Sequence, residues 1–251
     1  MTNTTLFIGR NLIELPTIDS TNNYAKEMLN EQRPPEGTCV LTHEQTSGRG
    51  QMGNTWHSEP GKNITLSLIL YPTFLDVSKQ FFLSMAVALA VKDFCESVLQ
   101  DEAKIKWPND IYFGDNKLGG VLIENNISGS KITSSAIGIG INVNQKTFGA
   151  GAKNATSLCL VSGEEQNLKN LTGELFFYFE KYYLQLRQLH FNFLDKAYTV
   201  GMYRYQQTHE FKKGNQLFKG EIVGVAKDGK LIIQSGEKEF RFGFKEVEYV
   251  L

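Results

Sequence analysis

The sequence predicts an α+β fold, a mixed or antiparallel sheet packed with helices and followed by a small β-barrel. Three observations carry that prediction. Residues 63–71 (NITLSLILY) and 131–144 (KITSSAIGIGINVN) carry apolar side chains at alternate positions, the period of a strand. Between them, residues 78–100 set apolar side chains in two stripes at helical spacing. From Phe211 to Leu251 the chain breaks into short β-prone runs separated by Asp228-Gly229 and Ser235-Gly236, the pattern of a separate small barrel. The expected division is a first unit over residues 1–205 and a second over 206–251.

Composition narrows the function classes. A chain of 251 residues, 41% hydrophobic and 21% charged, can bury a full core and is not disordered. Its net charge of −1 argues against a nucleic-acid-binding domain. Cys39, Cys95 and Cys159 are odd in number and widely spaced, which suggests neither a disulfide framework nor a zinc site. His43, His57, His190 and His209 are equally isolated, so no metal site is expected. The N-terminus lacks a secretory pattern, and the apolar stretch Phe81–Leu99 carries Lys92, Asp93 and Glu96, unlike a membrane span. The expectation is a soluble, cytoplasmic protein without membrane or nucleic-acid partners.

Asp19-Ser20-Thr21 precedes NNYAKEMLNEQ and places hydroxyls where a helix start leaves amides without partners; Pro34, Pro35 and Gly37 end that helix. Thr38–Thr42 reads as a short buried strand. Residues 46–61 (TSGRGQMGNTWHSEPG) hold four glycines in sixteen positions and no periodicity, so they read as a loop. In the strand over 63–71, Ile64, Leu66, Leu68 and Leu70 share one face. In the helix over 78–100, Phe82, Met85, Ala86 and Leu89 form one stripe and Val87, Val91, Phe94, Cys95 and Val98 another. An apolar surface that wide belongs to a largely buried helix. KIKW is a short strand, and residues 110–125 read as a hairpin turning at Gly114-Asp115-Asn116. Residues 167–205 read as helical and rich in aromatics.

Four segments could carry chemistry. In Ser47-Gly48-Arg49-Gly50-Gln51-Met52-Gly53, glycines let backbone amides approach phosphate oxygens and Arg49 adds a two-pronged donor. The spacing is not that of a P-loop or a dinucleotide fingerprint, and alone it is equally a mobile surface loop. Lys106, at a strand end beside Trp107-Pro108-Asn109-Asp110, is suited to stabilise charge developing in a phosphoryl or acyl-phosphate transition state. A lone strand-end lysine is otherwise a solvated charge. Lys117-Leu118-Gly119-Gly120 and Gly138-Ile139-Gly140-Ile141-Asn142 put paired glycines in strands, marking close approach by a ligand or another backbone, or a bulge.

Taken in order, Ile18-Asp19-Ser20-Thr21-Asn22, Gln45, Gly48-Arg49-Gly50 with Gly53, Trp56, Lys106-Trp107-Pro108-Asn109-Asp110, Lys117-Leu118-Gly119-Gly120 and Gly138-Ile139-Gly140-Ile141-Asn142 resemble the biotin protein ligases. The resemblance is tight over about residues 14–145 and loose through the C-terminal unit, for which it implies an SH3-like barrel. It implies a two-step enzyme. Biotin and ATP with Mg²⁺ form biotinyl-5′-adenylate and pyrophosphate; a lysine of a biotin carboxyl carrier domain, typically of acetyl-CoA carboxylase, then attacks the mixed anhydride. Two anions must meet, which requires cations, and Lys106 and Arg49 are the expected catalytic pair. The family pattern sets Ser20, Thr21, Asn22 and Gln45 at the biotin end, and backbone around Gly119-Gly120 and Gly138-Gly140 beside its rings. Trp56 belongs near the ordered loop with Gly48, Gly50 and Gln51, and Asn142 near the nucleotide. The alkyl chain needs an apolar slot, assigned to Ile111, Leu122 and Ile141.

Two departures stand out. The family loop often reads Gly-Arg-Gly-Arg, whereas Gln51 occupies the second arginine position. Bifunctional members carry a DNA-binding domain before the Asp-Ser-Thr-Asn segment; eighteen residues precede Asp19, which leads to the expectation of a monofunctional ligase, monomeric or weakly dimeric. The enzyme alternative is a lipoyl or octanoyl ligase or transferase, with Lys117 as the essential lysine; Lys106-Trp107-Pro108-Asn109-Asp110 with the glycine-rich loop favours biotin. A nucleotide-binding scaffold is the non-enzyme alternative, and it would form no adenylate.

Overall fold

A computed structural model describes residues 5–149, 152 and 154–250. Seven strands form the first sheet: β1 (Leu12–Ile18), β2 (Cys39–Gln45), β3 (Asn63–Leu70), β4 (Lys104–Lys106), β5 (Asp110–Phe113), β6 (Asn116–Ser128) and β7 (Lys131–Asn142). Their order is β1-β2-β3-β7-β6-β5-β4. The β1–β2 pair is parallel and the others are antiparallel, so the sheet is mixed as expected. Strand β1 is not legible in the sequence: its burial alternates weakly along an edge, with Leu12 exposed.

Every residue of β3 is buried, so both of its faces are covered. Ile64, Leu66, Leu68 and Leu70 meet the main core, as their alternation predicts, while Ile69 packs with Ala25, Met28, Val40 and Ala136 beneath helix α1 (Thr21–Glu31). Helix α2 (Phe81–Leu99) is buried along most of its length, in keeping with its wide apolar surface. The preceding Val77–Lys79 form a separate single turn, and Gln100 closes the helix at a positive φ of 52°.

Three helices follow: α3 (Leu158–Ser162), α4 (Leu168–Arg187) and α5 (Phe191–Val200). The last two fall within the segment read as helical over 167–205. The break lies at Leu189, whose φ is 59°. The Leu189 amide donates to the Leu186 carbonyl at 2.9 Å and the His190 amide to that of Gln185 at 3.1 Å, the pairing of a left-handed helix terminus. That terminus normally uses glycine, and a leucine there gives no warning.

The second sheet contains β8 (Thr208–Lys213), β9 (Gln216–Val225), β10 (Leu231–Ser235), β11 (Lys238–Phe242) and β12 (Glu248–Tyr249) in the order β11-β10-β9-β8-β12. Its turns include Gly229 (φ 88°) and Gly236 (φ 58°), as read from the sequence. The small β unit is therefore present as five antiparallel strands whose pairing order has two ends. One hydrophobic cluster runs from β3 and α2 through Phe211, Ile222, Leu231 and Phe242, so the two sheets share a core. The Trp107 indole fastens them further by donating to the Gly229 carbonyl at 3.0 Å. No helix among the described residues is long and apolar enough to cross a membrane.

Candidate active site

A cavity of about 660 Å³ opens where the start of α1, the glycine-rich loop, strands β6 and β7, the β4–β5 turn and the last residues of the chain converge. Ser20, Thr21, Asn22, Gln45, Arg49, Gly50, Gln51, Trp56, Lys106, Gly120, Gly138 and Gly140 all line it, so most of the expected site residues meet in space.

One wall is polar and internally wired. Ser20 begins α1 without a side-chain cap; the Gln45 carboxamide oxygen instead accepts from the Thr21 amide at 2.8 Å and from its hydroxyl at 3.1 Å. Ser67, on β3, donates its hydroxyl within 2.8 Å of Thr21 Oγ1 and 2.9 Å of Asn22 Oδ1. The Asn22 amide group donates to Glu124 at 2.7 Å. Fixed rotamers of this kind present donors and acceptors without further ordering cost.

Glu124 escapes a reading of the sequence, although it shares a β6 face with Gly120 and Leu122 by simple alternation. Its carboxylate accepts from Arg49 Nη1 at 2.9 Å, Arg49 Nη2 at 3.0 Å and Lys26 at 2.8 Å. Burial pushes the Glu124 carboxyl up, but the hydrogen bonds from Lys26, Arg49 and Asn22 outweigh it and hold it below its ordinary value. Arg49, expected as a catalytic cation beside Lys106, lines the cavity with its guanidinium tied to Glu124 and to Asn23 at 2.8 Å.

The strand glycines mark close approach by the protein's own groups, Asn22 at Gly138 and Trp56 at Gly140. A Cβ on Gly140 would lie 2.4 Å from the Trp56 ring, and one on Gly48 would lie 2.4 Å from the Trp56 carbonyl. Trp56 thus lies against β7 and ties the loop to the sheet; its indole nitrogen is buried without a hydrogen-bond partner among the described residues. The loop turns through Gln51–Gly53, with Gly50 N donating to Asn54 O at 2.7 Å and Trp56 N to Gly48 O at 2.9 Å.

Several expected positions do not line this cavity. Ile111 and Ile141 are fully buried in the core on the other face of the sheet, which Val121 and Ile139 share, so of the three residues assigned to the apolar slot only Leu122 lies on the cavity face. Gly119 faces across the strands, where a Cβ would meet the Gly140 carbonyl at 2.8 Å. Asn142 is buried with its amide group donating to Thr156 O at 2.9 Å. Gly48 lines a smaller hollow of about 320 Å³ behind the loop, with Gln145.

Lys106 ends β4 facing the cavity. Its ammonium donates to the Tyr112 hydroxyl at 3.1 Å and lies 4.7 Å from the Tyr112 ring and 5.0 Å from that of Tyr249. Burial lowers its pKa; Lys117 and Arg204 lower it further, partly offset by Asp110 and Asp115. Among the described residues no carboxylate forms an ion pair with it, whereas Lys117 is paired with Asp110 at 2.7 Å. Phe244, Lys245, Val247, Glu248 and Tyr249 complete the cavity from the second unit; of Arg241 and Lys245, the barrel cations the sequence offers for closing the site, Lys245 lines it and Arg241 does not. No group of three or more His, Cys, Asp or Glu suited to a metal occurs among the described residues.

A mixed sheet carrying a glycine-rich loop, a half-buried strand-end lysine and a slot part polar and part apolar defines a class: a ligase that activates a carboxylate. The chain belongs to the Biotin/lipoate A/B protein ligase family, whose model matches residues 14–142. It is 34% identical over 236 residues to the bifunctional ligase/repressor BirA of Bacillus spizizenii, covering 92% of this chain and 71% of that protein. It is 35% identical over 128 residues to the biotin–[acetyl-CoA-carboxylase] ligase of Paracoccus denitrificans, covering 50% of this chain and 52% of the other. The fold matches a biotin protein ligase from Aquifex aeolicus in complex with biotin and ATP with a TM-score of 0.79 at 27% identity, covering 96% of this chain and all of that one.

Proposed function

We propose that the protein is an ATP-dependent biotin–protein ligase that forms biotinyl-5′-adenylate and transfers biotin to a lysine of a biotin carboxyl carrier domain, such as that of acetyl-CoA carboxylase. The observation that carries this reading is the Lys106 ammonium, paired with no carboxylate among the described residues and facing a cavity with a polar wall at one side and an apolar floor. In the first step a biotin carboxylate oxygen attacks the α-phosphorus of ATP and pyrophosphate leaves. Negative charge grows on the phosphoryl oxygens, and a preorganised cation stabilises it. In the second step the acceptor's neutral ε-amine attacks the acyl carbon, AMP departs and the amine loses a proton.

The residues divide by chemistry. Ser20, Thr21, Asn22 and Gln45 offer the donors and acceptors that a cyclic urea requires, and Leu122 offers apolar surface for its alkyl chain. Backbone around Gly120, Gly138 and Gly140 flanks the rings, while Arg49, Gly50, Gln51 and Trp56 cover them. Magnesium is commonly held by substrate phosphates plus one or two carboxylates, and Asp110 and Glu248 are the carboxylates on the lining. Residues 1–205 form the catalytic unit and 206–251 the closing unit. The Lys117–Asp110 ion pair favours Lys106 over Lys117 as the acting lysine, and so favours biotin over the lipoyl reading.

The test is mass spectrometry of a carrier domain after incubation with the protein, ATP and biotin, with lipoate and octanoate in parallel. Biotin addition at one lysine is expected; modification by lipoate or octanoate alone overturns the reading.

A further inference from the structure

Tyr249 lies on the two-residue strand β12, and Lys106 on the sheet of the other unit, yet the Tyr249 ring sits 5.0 Å from the Lys106 ammonium. The contact is built rather than incidental. β12 pairs with β8 at Tyr249–Phe211, and Arg204 Nη1 donates to the Val250 carbonyl at 2.8 Å, fixing this end of the strand. The ring also packs 5.4 Å from that of Phe211 and 6.0 Å from that of Tyr203, which in turn lies 5.3 Å from Tyr112. The Tyr249 hydroxyl is buried and has no hydrogen-bond partner among the described residues, so this position uses the ring face.

We propose that Tyr249 is a positioning residue for Lys106, by which the second unit completes the active site with an aromatic face. A lysine ammonium sits on a flexible four-carbon stem and is readily misplaced. The Tyr112 hydroxyl supplies only one hydrogen bond. A carboxylate would hold the cation more strongly but would neutralise the charge that the reaction needs. Two ring faces attract it while leaving its charge intact. The inference rests on the role proposed above for Lys106, but the clamp itself can be measured separately.

Tyr249→Leu keeps an apolar packing group and removes the ring face; Tyr249→Phe keeps the ring and removes the idle hydroxyl. In biotin-dependent pyrophosphate release, the Leu variant is expected to lose about tenfold in kcat, about 1.4 kcal/mol, while KM for biotin, set at the far wall, moves much less. The Phe variant restores most of that loss. The second readout is the rate at which N-hydroxysuccinimidyl acetate acylates Lys106 in the ligand-free protein, followed by mass spectrometry with Lys117 as internal reference. Lys106 should acylate several-fold faster in the Leu variant and at the wild-type rate in the Phe variant, with Lys117 unchanged in both. If the Leu variant unfolds, labelling rises at every lysine, and Tyr249→Met supplies the same comparison. Equal Lys106 labelling in wild type and a folded ring-less variant overturns the clamp. Faster labelling together with full adenylate formation by Lys106→Ala leaves the clamp standing and removes the role proposed for Lys106.

Discussion

The Glu124 carboxylate takes both ends of the Arg49 guanidinium, at 2.9 and 3.0 Å, so an arginine of the glycine-rich loop is anchored to the middle of β6. The same carboxylate holds Asn22 of the polar wall at 2.7 Å. One side chain therefore sets the position of the loop and of a ligand-facing amide together.

Glu124→Gln should weaken both attachments. An amide keeps one acceptor and loses the charge, so stability should fall by about 1–2 kcal/mol. The sign of the pH dependence follows from the depressed carboxyl. Its folded value lies below 4.5, so the unfolded chain takes up the proton first as pH falls. Its stabilisation is complete above about 4.5 and is lost as pH falls through the folded value. Urea unfolding of wild type and variant should differ at neutral pH and converge in strong acid. A constant difference across that range would remove the charge from the explanation.

Lys106→Ala should abolish adenylate formation with the fold intact. Losing a preorganised charge at a transition state typically costs about 3–4 kcal/mol, or about 10²–10³ in rate. Lys117→Ala is the paired comparison: it breaks the 2.7 Å ion pair with Asp110 and should cost less. Pyrophosphate release by Lys106→Ala within threefold of wild type would sink the assignment, and a larger loss at Lys117 would point back to the lipoyl reading.

Much of this site is legible in the sequence because short local motifs at strand ends and helix starts carry it. Asp19-Ser20-Thr21-Asn22, the glycine-rich loop and Lys106-Trp107-Pro108-Asn109-Asp110 fall where the cavity forms. What escapes is long-range. Phe244 and Tyr249 reach the cavity because the second sheet docks on the first, where the Trp107 indole meets the Gly229 carbonyl. Ile111 and Ile141 suit the slot by apolarity alone, which does not distinguish the two faces of a sheet covered on both sides. Strand β1 is hidden because a weakly buried edge shows little alternation, and the α4–α5 break because a leucine adopts the glycine conformation at 189.

The Trp56–Gly140 contact leads to a prediction about the floor. A methyl at 140 would lie 2.4 Å from the indole, so Gly140→Ala must push Trp56 outward or bend β7. Overpacking of this kind costs about 1–3 kcal/mol. Biotin affinity should fall with it, and Trp56 fluorescence should shift towards that of a solvated indole. An unchanged spectrum with unchanged affinity would show that the loop tolerates the intrusion.

The segment Thr46–Trp56 should gain order on binding. Its turn at Gln51–Gly53 contains Met52 at a φ of 52° and rests on few backbone bonds, so local opening is cheap without a ligand. Amide hydrogen exchange should slow across these residues when biotin and a non-hydrolysable ATP analogue are added. Equal protection in both states would remove a lid role.

Gln51 should make the loop retain the intermediate less firmly than an arginine would. It lines the cavity from the turn, where the related ligases often carry arginine, and a neutral amide offers a hydrogen bond in place of a charge-assisted pair about twice as strong per bond. Gln51→Arg should therefore slow escape of biotinyl-adenylate in a trapping assay. Like-charge repulsion from Arg49 opposes this gain, but Glu124 already balances that guanidinium, so the penalty should be small. A second cation lines the same cavity. Lys245, from the closing unit, lines the cavity and donates to the Met52 carbonyl at 3.4 Å, beside the position in question. The comparison is accordingly made in wild type and in Lys245→Ala, and the slowing should be larger in the second background. An escape rate unchanged or faster in both would show that residue 51 does not govern retention.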